Sequence, residues 1–306
     1  MNLRELEYIV KIGECGNLAS AAEALFITSS ALSQHLSKVE DDLGTPLFYR
    51  SRGNWQPTPA GVEYMNTCRK ILALKDETYR KIRDICDVRK GCLRIGMPPE
   101  RAITIIRGVY PRFHKEYDGL TLNFSEINVR NQQKLIESGD LDLALVTLTD
   151  KEMDDNTYIT LSREEVFLAV PADDPRCSDI PSTKKNPYPE IDLKLFDNAP
   201  FALMRPSSTL RPMQEDIFFK HHVTPRILFE TSRTEITLAM VSEGICCSLI
   251  PNSYLCIDDS RFRYFSLPDH PKWGVHILYK KGRYLSKAEQ RFIELTKEFW
   301  QGMIQS

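Results

Sequence analysis

The apolar positions between Leu18 and Gly61 mark two short amphipathic helices with a tight turn between them, then a turn-rich loop and the start of a third helix. Asn17 is a good N-cap, and Leu18, Ala21, Ala22 and Leu25 follow it at helical spacing. The small side chains of Ala19, Ala21, Ala22 and Ala24 let another helix approach closely. Phe26 and Ile27 turn the chain to a second N-cap, Thr28. After it Leu32, Leu36, Val39 and Leu43 form a one-sided stripe that Gly44 ends. Thr58 then caps a helix with Pro59 at its first position. A heptad seam of Met65, Cys68, Leu72, Tyr79, Ile82 and Cys86, interrupted by Lys75, carries that helix to Lys90, with Gly91 as its C-terminal cap. So long a helix is poorly stabilised alone, so it needs a partner: a second helix like itself, or the rest of its own chain.

From Cys92 the pattern becomes α/β. Strands are expected at Cys92–Met97, Leu120–Ile127 and Leu141–Thr147, with helices at Ala102–Glu116 and Asn131–Ser138 between them. A second set has strands at Val166–Val170, Phe201–Met204, Ile227–Glu230, Cys246–Ile250 and Val275–Tyr279. Its helical segments are Asp192–Phe196, Leu210–His221, Glu235–Ser242 and Ser286–Gln301. Such alternation predicts parallel sheets with helices on both faces. The charged, Pro-rich stretch Asp173–Pro189 reads as an exposed loop. Two small α/β lobes place strand ends and helix starts opposite one another, where ligands bind.

Composition narrows this picture only a little. A chain of 306 residues that is 42% hydrophobic can bury more than one core. Its net charge of −2, divided as +1 over residues 1–90 and −3 over 91–306, gives no global sign of a polyanionic partner. The placement of charge has to carry that argument. No signal peptide or apolar run near 18 residues is visible, which points to a cytoplasmic protein without a membrane partner. The eight cysteines include no C-x-x-C pair, so no metal site is expected. Cys246 and Cys247 fall in an apolar run where buried thiols are the ordinary reading, whereas a redox sensor needs exposed thiolates.

The polar face of the second helix is short and nearly free of acid. Ser30, Ser33, Gln34, Ser37 and Lys38 lie along it, Thr28 and Ser29 open it, and Glu40, Asp41 and Asp42 come only at its far end. Taken alone, this is the solvated side of an ordinary helix. The order of elements changes that reading: a helix pair of this spacing followed by Arg50 and Arg52 in a loop makes a winged helix-turn-helix. Gln34 and the serines then suit base edges, and the arginines suit phosphate or the minor groove.

Leu3, Leu6, Leu18, Ala21, Ala22, Leu25, Ala31, Leu32, Ser33, Leu36, Glu40, Leu43, Gly44, Leu47, Phe48, Arg50 and the run Thr58-Pro59-Ala60-Gly61 together resemble the N-terminal domain of the LysR-type transcriptional regulators. The family usually has Gln where this chain has Ser29, and Leu where it has Pro57. The resemblance continues in Gly91–Gly96, Gly139–Asp142 and Gly244–Pro251, landmarks of the family's two-lobed effector domain, which is similar to periplasmic solute-binding proteins. It implies a winged helix-turn-helix over 1–60, a linker helix over 58–90 and an effector domain over 91–306. With crossings near Ser162 and Ser266, lobe I is 91–162 and 267–306, and lobe II is 163–266. It also implies that Met65, Cys68, Leu72, Tyr79 and Ile82 pair two linker helices. The resulting dimer, a tetramer by family precedent, would read a dyad-symmetric operator on double-stranded DNA. RNA polymerase joins the expected partners.

The ligand cleft is placed from loops at strand ends. Pro99, Glu100 and Arg101 follow the first strand, where the family often has Ser or Thr. Asn128 and Thr147 end or follow later ones. In the second lobe Arg205, Pro206, Ser207, Ser208 and Thr209, and likewise Ser232, Arg233 and Thr234, lead into helices. For each hydroxyl alone, capping is the ordinary explanation. Converging on one cleft, hydroxyls and free N–H groups suit a carboxylate or phosphate, with Arg101, Arg205 and Arg233 adding charge. The expected effector is a small organic acid or an amino-acid derivative, with no other cofactor.

Three functional classes remain at this point. A ligand-gated DNA-binding regulator accounts for most of the chain. An enzyme on the two-lobed fold would need a catalytic constellation. The six histidines lie near no nucleophile motif or paired carboxylates, and G-x-S-x-G and H-E-x-x-H are missing, so no catalytic residue is assigned. A ligand-independent architectural DNA binder would need no cleft.

Overall fold

The computed structural model describes residues 2–51, 54–86, 90–181, 183, 186–255 and 260–305. The chain forms two compact units. One comprises Met1–Arg89 with Ser138–Asp140 and Gly282–Lys287; the other holds the remainder.

The first unit runs α1 (Leu3–Cys15), α2 (Leu18–Ala24), α3 (Ser29–Leu43), β1 (Phe48–Ser51), β2 (Asn54–Pro57) and α4 (Pro59–Ile85). Each helix start is capped as its sequence directs. Asn2, Asn17, Thr28 and Thr58 accept backbone N–H groups from Arg4, Ser20, Ala31 and Gly61. Ile9, Ile12, Ala21, Ala22, Leu32, Leu36, Leu47, Phe48 and Met65 close one core. β1 and β2 pair as an antiparallel hairpin against it. Gly61 lets α4 pass against the loop before β1, since a Cβ there would lie 2.0 Å from the Leu47 carbonyl oxygen.

Here the expected seam is corrected. Met65 and Cys68 are buried, Met65 in the helix-turn-helix core and Cys68 against Leu6 and Val10 of α1, with Leu72 packed alongside. The early turns of α4 therefore serve their own chain. Apart from Val62 in the first turn, the exposed apolar groups come later, at Leu74, Tyr79, Ile82 and Ile85. The helix also stops earlier than expected, with Cys86 as its C-cap. Gly91 instead opens the next strand at φ 141°, a conformation that other residues rarely adopt.

The second unit contains β3 (Gly91–Met97), α5 (Pro99–Glu116), β4 (Leu120–Glu126), α6 (Val129–Ser138), β5 (Leu143–Leu148) and β6 (Thr157–Pro171). It continues with β7 (Pro200–Met204), α7 (Leu210–Lys220), β8 (Arg226–Thr231), α8 (Thr234–Ser242), β9 (Ser248–Pro251), β10 (Phe262–Phe265), β11 (Lys272–Tyr279) and α9 (Lys287–Gln305). One sheet has the order β10-β6-β11-β5-β3-β4, with β9 also on β6; β7 and β8 form a separate parallel pair. β3 is parallel to β4 and β5, but β6 runs antiparallel to β11, β9 and β10, so the all-parallel expectation fails for this part of the sheet.

The cause is the length of β6. Thr157–Glu165 pairs with β11 and Val166–Pro171 with β9 and β10, so a single strand of 15 residues passes from one lobe to the other. The change of partner falls at Glu165/Val166, a few residues past the expected crossing at Ser162. The stretch Asp173–Pro189 is also not simply exposed. Pro175–Cys177 forms a 3-10 turn, and Cys177 is fully buried in the lobe II core with Phe196, Phe201 and Phe265. No helix among the described residues is long and apolar enough to cross a membrane.

Candidate DNA-reading surface and ligand cleft

On α3 the stripe Leu32, Leu36 and Val39 is buried, which fixes the opposite side outward. Ser29, Ser30, Gln34 and Lys38 are exposed, and Ser33 and Ser37 half-buried. Thr28 is exposed, but its hydroxyl is engaged: it takes the Ala31 N–H at 3.2 Å and lies 3.1 Å from the Ser30 hydroxyl. The serines and Gln34 of this face can therefore meet base edges with amide and hydroxyl groups at no cost of stripping a full charge, Lys38 being its one cation.

Arg50 does not stand free as expected. It pairs with Glu40, and its guanidinium lies 5.5 Å from the Trp55 ring centroid. Glu40, only 9% exposed, also accepts the Leu47 N–H at 2.7 Å. One buried carboxylate thus ties the last turns of α3 to the root of the wing. Sequence reasoning counted Glu40 among the acids at the far end of the helix; its place beside Val39 on the inward face was the available signal. Arg52 lies outside the described residues.

In the second unit a cavity of about 320 Å³ opens at the strand ends. Eight of the residues expected there line it, Pro99, Glu100, Asn128 and Thr147 from one lobe and Ser207, Ser208, Thr209 and Ser232 from the other, whereas Arg233 lines a neighbouring cavity. Glu126, Ile127, Val129, Asn131, Met204 and Trp273 complete most of the wall. Trp273 and Met204 gave no signal, because each reads locally as strand core.

The other four expected residues are used differently. Arg101 is 6% exposed and turned into the protein: it pairs with buried Glu164 at 2.5 Å, donates to the Ser253 hydroxyl at 3.0 Å, and lies over Tyr254 and Trp300. Thr234, 1% exposed, gives its N–H and hydroxyl to the Glu100 carboxylate, which also accepts from the Tyr254 hydroxyl at 3.2 Å. Burial raises the Glu100 carboxyl above its ordinary range, against the opposing pull of those hydrogen bonds. Arg205 and Pro206 are exposed and outside the cavity wall. Even within the wall one pair is spent internally, since the Thr209 hydroxyl donates to the Thr147 carbonyl at 2.6 Å.

The cysteine run follows the buried reading. Cys246 and Cys247 are 2% and 1% exposed, and burial pushes their thiols up to about 11 and about 12.

Residues 3–62 match the family model described as the bacterial regulatory helix-turn-helix protein of the lysR family. Residues 87–301 match that of the LysR substrate binding domain. The HTH-type transcriptional regulator YcgK of Bacillus subtilis (strain 168) is 26% identical over 97% of this chain and 94% of its own length. Full-length OxyR from Pseudomonas aeruginosa superposes with a TM-score of 0.68 at 21% identity, covering 98% of this chain and 95% of that one. Full-length CbnR, solved in complex with its target DNA, superposes with a TM-score of 0.59 at 18% identity, covering 98% and 100%.

Proposed function

The chain belongs to the LysR family of bacterial transcriptional regulators, with a helix-turn-helix DNA-binding domain and an effector-binding domain, and from that premise we propose how it reads DNA and what gates it. Ser29, Ser30, Ser33, Gln34, Ser37 and Lys38 meet the major groove, while Arg50 holds the wing and Arg52 reaches the backbone. The observation that carries this reading is the exposed, uncharged start of α3, set outward by buried Leu32, Leu36 and Val39, the last residue of the expected stripe, Leu43, being exposed. The fold shared with CbnR, which is solved on its target DNA, supports it.

Two chains pair through the exposed apolar side of late α4, which carries Tyr79 and Ile82, and so present two α3 helices to a dyad-symmetric operator. Pairs of dimers form the tetramer, and the complex acts in the cytoplasm and contacts RNA polymerase. A small molecule between the lobes shifts the arrangement of the DNA-binding heads, to the extent that it binds one lobe closure better than the other.

Capture and sequencing of genomic fragments on the purified protein, at two salt concentrations, tests the reading. A few discrete sites with an imperfect dyad are expected. Salt-sensitive binding with no enriched site would leave only an architectural binder. Replacing Gln34 by Ala should cost about 1–3 kcal/mol and relax preference at one base pair in each half-site. A loss equal on all sequences would assign Gln34 to the phosphate backbone.

A further inference from the structure

Four helices begin at the rim of the cavity, and the chain itself already answers each start. α5 opens with Pro98 and Pro99, which have no N–H to offer, and the Arg101 N–H returns to the Pro98 carbonyl at 2.9 Å. At α6 the Asn128 side chain accepts the Asn131 N–H at 2.9 Å. At α7 the Ser208 hydroxyl accepts the Leu210 N–H at 3.2 Å. At α8 the Glu100 carboxylate takes the Thr234 N–H. An anion binds a helix start through free N–H groups and the positive end of the dipole. Around this cavity one N–H at each of these starts is already taken, at α8 by a carboxylate of the chain.

The charge of the wall points the same way. Its charged residues are Glu100 and Glu126, and among the described lining residues there is no Lys, Arg or His. Glu126 ends β4 beside Met97 of β3, is exposed, and forms no ion pair with a described residue. Arg107 and Arg233 line a neighbouring cavity of about 360 Å³, which shares Pro99, Glu100 and Glu126 with the first. The expectation of an anionic effector is therefore weakened on both counts: one N–H at each helix start is taken, and the arginines line the neighbouring cavity and not this one.

Extending the ligand-cleft reading, on which it rests, the geometry points to an effector that carries a positively charged nitrogen, an amine or amidine, held by Glu126 beside Glu100. The hydroxyls of Ser207 and Ser232 are placed to take its polar remainder. A carboxylate entering here would face Glu126 and have to displace Glu100 from α8.

The test is calorimetric titration of the full-length protein with two probes of equal chain length, pentane-1,5-diamine and glutarate. The diamine is expected to bind and glutarate not. Glu126→Gln, an exposed position, should weaken the diamine about tenfold or more, the loss of one charge-assisted contact, and leave the unliganded melting temperature unchanged. Failure of the diamine to bind, or binding indifferent to Glu126→Gln, overturns the proposal. So does glutarate binding that Arg233→Ala abolishes. Ser207→Trp, which fills the cavity, separates this from the broader reading. Glutarate binding lost in that variant sinks the amine and keeps the cleft. If a metabolite extract shifts the operator footprint of the Ser207→Trp variant as it does the unaltered protein, the cleft reading falls as well.

Discussion

Glu40 and Arg101 show how single buried charges hold this molecule's working parts. Glu40 sits on the inward side of α3 and satisfies both the Leu47 N–H and Arg50. Replacing it with Leu fills the space but orphans that N–H, so urea unfolding should show a loss of roughly 1–3 kcal/mol. Because the wing root loosens, affinity for specific and random DNA should fall together. A loss confined to the operator would contradict the positioning role. Arg101 and Glu164 have side chains only 7% and 5% exposed, so Arg101→Met leaves an uncompensated buried carboxylate, at about 3–5 kcal/mol. Adding Glu164→Leu should recover most of that loss in the same unfolding assay, whereas two additive losses would mean that the residues act apart.

At the scale of elements, α4 divides into a half that buries apolar groups on its own chain and a half that leaves Leu74, Tyr79, Ile82 and Ile85 exposed, its own-chain contacts there including the polar ones of Asp84 and Lys81 with Tyr284 and Lys287. Ile82 is 50% exposed, so Ile82→Glu should raise the dimer dissociation constant about tenfold or more in sedimentation without lowering the melting temperature. Cys68→Glu, at 1% exposure, should instead unfold the first unit. In β11, His276 is fully buried and its imidazole is held below the ordinary range by desolvation. A depressed folded-state value means that the unfolded chain takes up the proton first. Stability is thus present above about pH 6.5 and lost as the pH falls below it. The difference between the protein and its His276→Leu variant, followed by thermal melting between pH 8 and pH 5, should show that slope disappear. Caps and one-sided stripes made the elements of the first unit legible, since Asn17, Thr28 and Gly44 act locally. The first half of β6 was not legible. Thr157–Glu165 mixes exposed, half-buried and buried positions, and its strand character comes from β11, more than a hundred residues away.

For the whole molecule, what the sequence hid is what joins distant segments. Loop positions were enough to locate eight wall residues of the cleft, but not the contact of Glu100 with Thr234, 134 positions apart, on which the proposed amine effector partly rests. The thiols follow the same logic of burial: with Cys177, Cys246 and Cys247 enclosed, hydrogen peroxide should leave operator affinity within about twofold. Among the described cysteines, alkylation followed by mass spectrometry should mark exposed Cys86 and Cys92 first. β6 has a mechanical consequence. One lobe connection is a single continuous strand whose ladder to β11 shifts register once, at Leu161, whereas the other leaves β10 at Phe265 and re-enters the sheet at Lys272 through a turn with His270 at φ 42°. Strands vary widely in their twist, so torsion along β6 is a deformation that keeps the ladder paired on both sides of the crossing. If β6 acts as an axle between the lobes, distance measurements between labels on the two lobes should show a bound molecule as rotation about the strand.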